Sequence, residues 1–318
     1  MDSFLSSEVQ QRASRNIKKD QILNKLIKSK IQILIGTHAL LQEKVKFKDL
    51  ALVIVDEQHR FGVKQRARLR KINKSGLTPH LLSMTATPIP RTLALSIYGD
   101  LDLSIIQEMP KGRQKIETRV VSLEDRQKTY HFISDQIKKG HQVYVVCPLI
   151  EESDKLGVKS ATEEYKKLSK KIFPQFKIGL LHGKLKKEKK EKVMSDFVKG
   201  KIDILVSTPV IEVGIDVPNV TAMMIEGAER FGLAQLYQFR GRVGRGKDKS
   251  YCFLFSDSET EKVRKRLNSL VQAKSGFELA ETDLKMRGPG EVFGTRQWGI
   301  PDLKMASLMD DINLKKAR

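Results

Sequence analysis

Residues 53–62 read VIVDEQHRFG, in which Val53, Ile54 and Val55 form an apolar run and Asp56, Glu57, Gln58 and His59 follow without a spacer. Adjacent carboxylates at the tip of a strand suit phosphate chemistry. One can hold a hydrated Mg2+, and its neighbour can orient or deprotonate an attacking water. Downstream, SMTATPIPRT (83–92) sets Thr85 and Thr87 among small residues at the end of another apolar run, with Pro88 and Pro90 delaying any helix. The segment STPVIEVGIDVPNV (207–220) carries Thr208, Gly214 and Asp216. In QLYQFRGRVGRG (235–246), Arg240, Arg242 and Arg245 alternate with Gly241, Gly244 and Gly246. Arginines three apart on a short helix share a face, and guanidinium forks match phosphate oxygens. Near the end, RGPGEVFGTRQWG (287–299) cannot stay helical; its glycines allow close backbone approach, and Arg287 and Gln297 can bridge elements by hydrogen bonds.

These groups need elements to hold them. Apolar, β-branched runs recur at 31–35, 50–56, 80–84, 143–147, 176–182, 202–207, 221–225 and 251–255, separated by helical stretches. Near-continuous apolar strands alternating with helices predict parallel sheets covered on both faces. Many runs end in polar or glycine-bearing segments (GTH, DEQH, TATP, HGK, STP, EGAE), and ligands sit outside the carboxyl ends of strands in such sheets. An active-site edge is therefore expected in each of two lobes. Between them, 106–119 carries Pro110, Gly112 and mixed charge without an apolar period, and reads as a linker. Residues 256–286 read as two helices with a turn near Ser275-Gly276, Gly276 suiting a helix C-terminus. Residues 1–30 read as a polar, helix-prone lead-in.

At 318 residues the chain is long enough for about two domains. Its formal charge of +21 favours a polyanionic partner, nucleic acid first and a membrane surface second. Fifteen lysines against five acids between Lys155 and Lys201 form either a solvated surface or a nucleic-acid contact. Cys147 and Cys252 lie inside apolar runs, which predicts buried thiols in a reducing cytosol rather than disulfides or a zinc site. No apolar run approaches the ~18 residues of a membrane span, so a cytoplasmic protein is expected.

Taken together, the four motifs resemble, in order and spacing, motifs II, III, V and VI of superfamily 2 nucleic-acid helicases. DEQHRFGVKQR (56–66) and MTATPIPRTLALSIYGDLDLS (84–104) are similar to the RecG family of branched-DNA helicases. The RGPGEVFGTRQWG tail resembles the translocation motif shared by that family and the transcription-repair coupling factor. Gln58 and His59 favour RecG over that relative, whereas Trp298 stands where the family more often has a small residue. The resemblance implies an α/β fold of two RecA-like parallel-sheet lobes, the first incomplete, followed by a helical hairpin and translocation loop. The corresponding boundaries are 1–107, a linker at 108–119, 120–257 and 258–318.

The same resemblance implies residue roles. Asp56 would hold Mg2+ through water, Glu57 would activate the hydrolytic water, and Gln58 and His59 would couple that site to the facing lobe. Thr85, Thr87 and Thr208 would relay nucleotide state to DNA. Gly214 and Asp216 would contact ATP, Arg242 and Arg245 would serve as arginine fingers, and Arg287 and Gln297 would couple closure to duplex movement. Branched or forked DNA is the implied partner, with a monomeric protein. One part is missing: no G-x-x-x-x-G-K-[ST] phosphate loop occurs in the sequence. The phosphate loop and a wedge domain are expected upstream of residue 1, which makes the chain the carboxyl-terminal part of a longer helicase. The alternatives are a non-catalytic DNA-binding fragment and a transcription-repair coupling motor.

Overall fold

The computed structural model describes residues 19–42, 44–57, 78–86, 102–106, 108, 114–148, 154–209, 217–258 and 260–287. The chain divides into two compact units, 1–86 and 87–318.

In the first unit, helix α1 (Lys19–Ile27) precedes two strands, β1 (Leu52–Val55) and β2 (His80–Ser83). They pair in parallel, with Leu52 opposite His80 and Val55 opposite Ser83. The run at 31–35, expected as a strand, is not one. A strand requires a hydrogen-bonding neighbour, and no described residue pairs with it; Ile33 and Ile35 are 80% and 62% exposed.

The second unit is a six-stranded, all-parallel sheet. Its strands are β3 (Glu117–Val121), β4 (Gln142–Val146), β5 (Ile178–Leu181), β6 (Ile204–Ser207), β7 (Val220–Ile225) and β8 (Tyr251–Phe255). The spatial order is β3-β8-β7-β4-β6-β5. From β4 the chain winds outward to β5 and returns through β6, then crosses to β7 and β8. The winding therefore reverses between β4 and β7, the position where open α/β sheets bind ligands. β3 begins inside the segment read as linker. Its mixed charge hid it, and the reason is its place at an edge. Glu117 pairs there with Arg119 and, at 2.8 Å, with Lys249, as suits a strand that must stay soluble.

Strand alternation supplies two apolar layers. Val143, Val145, Ile204, Val206, Met224 and Phe253 pack with Tyr130, Ile133 and Ile137 of helix α2 (Arg126–Lys138) and with Leu168 and Phe173, which follow helix α3 (Asp154–Lys167). On the other face, Tyr144, Leu205, Met223 and Leu254 meet Phe197 of helix α4 (Lys187–Val198) and Leu233, Leu236 and Phe239 of helix α5 (Leu233–Arg240). Helices α6 (Glu261–Gln272) and α7 (Gly276–Arg287) join this second layer through Leu267, Leu270 and Leu279. The hairpin is thus packed on the lobe. Gly276 opens α7 instead of ending a helix: Ser275 Oγ accepts from Glu278 N–H at 3.2 Å, and Glu278 Oε2 accepts from Lys274 N–H at 2.9 Å. This is an S-x-x-E helix start in which the hydroxyl caps as usual and the carboxylate takes the N–H of the residue before the cap. Both cysteines are free and buried, as expected, and they lie on opposite faces of the sheet; burial pushes the Cys252 thiol up to about 12.

Candidate functional site

Parallel pairing of β1 with β2 brings Asp56-Glu57 and Thr85 to the same carboxyl edge. Asp56 is exposed and Glu57 half-buried. Met84 N–H donates to Val55 C=O at 2.8 Å, extending the ladder one step beyond the strands. The chain then turns sharply at Glu57, whose φ of 50° lies in the left-handed region that non-glycine residues rarely enter. Asp56 Oδ1 accepts the Glu57 N–H at 2.9 Å and holds that turn. Thr85 Oγ1 donates to Glu57 Oε2 at 3.5 Å. Backbone strain of this kind concentrates at functional sites. Gln58, His59 and Thr87 lie outside the described residues, as do Gly214, Asp216 and Gln297 in the second unit.

In that unit the sequence expectation needs correction. Helix α5 ends at Arg240, with Gly241 as its cap, so Arg242 and Arg245 follow the helix instead of lying on it. Their loop also lies at the amino ends of the strands. A Cβ on Gly246 would stand 2.7 Å from the backbone oxygen of Pro218, just before β7. Gly244, at φ +76°, faces Ile116, just before β3, where a Cβ would meet the side chain at 2.9 Å. Gln114 Nε2 donates to Lys247 C=O at 2.8 Å. Gly244 and Gly246 are explained by this close approach to two strand starts. Thr208 stays at the carboxyl edge, only 2% exposed, its N–H donating to Leu181 C=O at 3.3 Å. Arg287 is the last residue of α7.

Two arginines fasten α6 to α5 and to the turn that precedes it. Arg240 Nη1 donates to Leu270 C=O at 2.8 Å, and Arg266 donates through both Nη atoms to Phe231 C=O (2.7 Å) and Glu229 C=O (2.5 Å). Sequence reading missed Arg266, which looks like any charge on an amphipathic helix. Also missed was a buried ionic group at the β4/β7 reversal. Arg126 donates to Glu226 Oε2 at 3.1 Å and Asp257 Oδ1 at 2.8 Å, and its guanidinium lies 5.1 Å from the Phe255 ring centre. Burial, aided by the Glu164 carboxylate, pushes the Glu226 carboxyl from 4.5 up to about 7, against the pull of Arg126 and Lys167. Only the polar tip EGAE hinted at it.

An acid whose folded value lies above its unfolded one weakens the fold as pH rises. The cost is absent below the unfolded value and complete above about 7. Stability of the native chain relative to Glu226→Gln should therefore decline by on the order of 3 kcal/mol between pH 4.5 and 7. Urea unfolding of both proteins across that range checks this, and a flat difference would refute it.

Comparison with known proteins places this geometry. Residues 3–95 match the family described as DEAD/DEAH box helicase, 125–247 the Helicase conserved C-terminal domain, and 273–317 the C-terminal part of domain 3 of ATP-dependent DNA helicase RecG. Over 308 residues the chain is 52% identical to ATP-dependent DNA helicase RecG of Synechocystis, covering 97% of this chain and 37% of that protein. Identity to the RecG proteins of Thermotoga maritima and Bacillus subtilis is 53% and 49%, over 93% and 92% of this chain and 38% and 43% of theirs. A solved structure of RecG bound to a three-way DNA junction matches with a TM-score of 0.72 at 46% identity, over 95% of this chain and 38% of that one. Mycobacterium smegmatis Lhr bound to single-stranded DNA, at 19% identity and a TM-score of 0.51 over 85% of this chain and 36% of that one, shares the fold alone.

Proposed function

Because the chain belongs to the RecG family of ATP-dependent DNA helicases, spanning about two fifths of the relatives it matches, we propose that it is the motor portion of a branched-DNA helicase acting in recombination and repair. The observation that carries this reading is the meeting of two strand tips, where the Thr85 hydroxyl reaches the Glu57 carboxylate beside an exposed Asp56. In this reading Glu57 orients and deprotonates the hydrolytic water, and Thr85 reports its state to the neighbouring strand end. Arg242 and Arg245 neutralise charge on the γ-phosphate, with Gly214 and Asp216 contacting the nucleotide.

The residues fit a magnesium ion. Among the described residues no group of three or more His, Cys, Asp or Glu side chains could hold a metal. A single exposed carboxylate suits Mg2+, which keeps most of its waters and takes substrate phosphates as ligands. Asp56 would hold it, and bound there it would supply charge neutralisation on the phosphates. The relative solved with a three-way DNA junction and the +21 charge support branched DNA as substrate. No described helix is long and apolar enough to cross a membrane. We assign the protein to the cytoplasm as a monomer.

The second reading, a DNA-binding fragment without turnover, is favoured by one observation: the 318 residues contain no phosphate-loop sequence. Both readings are tested together. The chain alone should hydrolyse ATP with DNA at well below ~1 s⁻¹, against the ~10 s⁻¹ typical of enzymes. Adding a fragment with a phosphate loop and its lysine should raise turnover to that range. Turnover by the chain alone would disprove the need for the loop, and failure of complementation would favour the fragment reading.

A further inference from the structure

The amino edge of the second-unit sheet carries charge that the proposed nucleotide and DNA contacts leave unused. Three helix-to-strand returns converge there, at the starts of β4, β6 and β5. The turn after α2 brings Lys138 and Lys139, the turn after α3 brings Lys170, Lys171 and Lys177, and the turn after α4 brings Lys199 and Lys201, all exposed. Hydrogen bonds tie these turns into one rim. Gln142 Nε2 donates to Phe197 C=O and Ile202 C=O, both at 2.7 Å, Asn219 Nδ2 donates to Gly140 C=O at 2.9 Å, and Asp203 N–H donates to Lys177 C=O at 2.8 Å.

Three aspartates accompany the seven lysines, and each is engaged. Asp135 lies 3.5 Å from Lys138, Asp196 lies 3.6 Å from Lys201, and Asp203 Oδ2 accepts the Lys177 N–H at 2.8 Å. Among the described residues, the ammonium groups of Lys139, Lys170, Lys171, Lys177 and Lys199 have no ion pair. Seven cations minus three acids leave +4 on the rim. Helix C-termini favour nearby cations, which accounts for one or two per turn but not for three such turns meeting on the adjacent strands β4, β6 and β5. The rim spans three adjacent strands, two spacings of about 4.8 Å, roughly 10 Å. Duplex DNA carries one charge per about 1.7 Å of its axis, so that length presents about six phosphates. Lysines are flexible point charges, suited to phosphates without reading bases.

We propose that this amino-edge rim is a second, sequence-independent contact for the phosphate backbone of duplex DNA, separate from the carboxyl edge that holds Thr208. It extends the DNA-motor reading above by adding a hold on another segment of the branched substrate. The hydrogen-bonded turns hold the lysine-bearing backbone segments side by side along the edge.

The test is fluorescence anisotropy of a 30-base-pair mixed-sequence duplex against salt, using the full chain without nucleotide, so that loss of ATP turnover cannot affect the result. In K139A/K171A/K177A/K199A, the slope of log K against log salt should become less negative by about 3 to 4, at ~0.9 per phosphate released. The control K128A/K189A/K192A/K262A removes the same charge from exposed positions elsewhere in the unit and should change it by less than one. Thermal unfolding of both should match the native chain. Equal changes in the two variants would mean a diffuse field and overturn the proposal, as would an unchanged slope in the first. Loss confined to an oligoglutamate probe would assign the rim to an acidic peptide and also overturn it.

Discussion

Glu57→Gln is expected to lower DNA-stimulated ATP turnover by about 10²–10⁴-fold, and Arg245→Ala by about 10³–10⁵-fold, once a phosphate loop is supplied in the same protein or in trans. Glutamine keeps the volume of Glu57 and can still meet the Thr85 hydroxyl, and the Glu57 N–H that bonds to Asp56 is unchanged. Nucleotide binding should therefore persist, and single-turnover kinetics should place the defect in the chemical step. In the proposed role Arg245 would act by its charge and by its planar fork, so Arg245→Lys should restore only part of the activity, a point charge lacking that fork. The loop gives an independent check. In Gly246→Ala the new Cβ would collide with the Pro218 carbonyl oxygen at 2.7 Å, forcing the loop away from the sheet. A displacement near 1 Å is enough for a loss of about 10² while Arg245 itself is untouched. Turnover retained above a tenth in Glu57→Gln would remove it from the role of base.

The second large effect concerns coupling. Arg287→Ala and Gln297→Ala should leave most ATP hydrolysis intact while unwinding or fork reversal falls by about 5–150-fold, the range of coupling free energies of 1–3 kcal/mol. The arginine-bearing loop begins where α5 ends; α5 is held to α6 by Arg240 on Leu270, and the segment leading into α5 by Arg266 on Glu229 and Phe231. Helix α7 continues the hairpin through buried Leu279, Ala280 and Leu284 and ends at Arg287. A shift of the loop around γ-phosphate would thus be carried by packed helices to the segment that begins at Arg287, since packed cores move as units. Gln297 lies outside the described residues, and its role rests on the family resemblance. Parallel ATPase and fork-reversal assays separate the outcomes. Equal loss of both activities would mean that these residues only hold the fold together, and retention of both would remove them from coupling.

The amino-acid sequence by itself determined the elements whose signal is local. Val53-Ile54-Val55 forms a strand because β-branched residues fit a pleated backbone, although only Val55 of the three is buried and Ile54 is 58% exposed, and Asp56-Glu57 lies at its tip because the polar residues follow at once. Runs of the same kind gave β2 and β4 to β8, and the S-x-x-E spacing that caps α7 was present to be read, although Gly276 pointed the wrong way. Neighbours at long range were decided only by the tertiary structure. The 31–35 run has a strand's composition but no described partner to complete its ladder, whereas the charged ETRVV segment becomes β3 because β8 accepts it at an edge. Spacing placed Arg242 and Arg245 on a helix, yet Gly244 and Gly246 press against Ile116 and Pro218, and this packing carries the pair past the helix to the amino edge. Glu226 reads as an ordinary polar strand tip until Arg126, one hundred residues earlier, closes over it and burial raises its carboxyl. Hydrophobic period and turn chemistry act within a few residues; strand order, backbone approach and desolvation depend on residues that meet only when the sheet assembles.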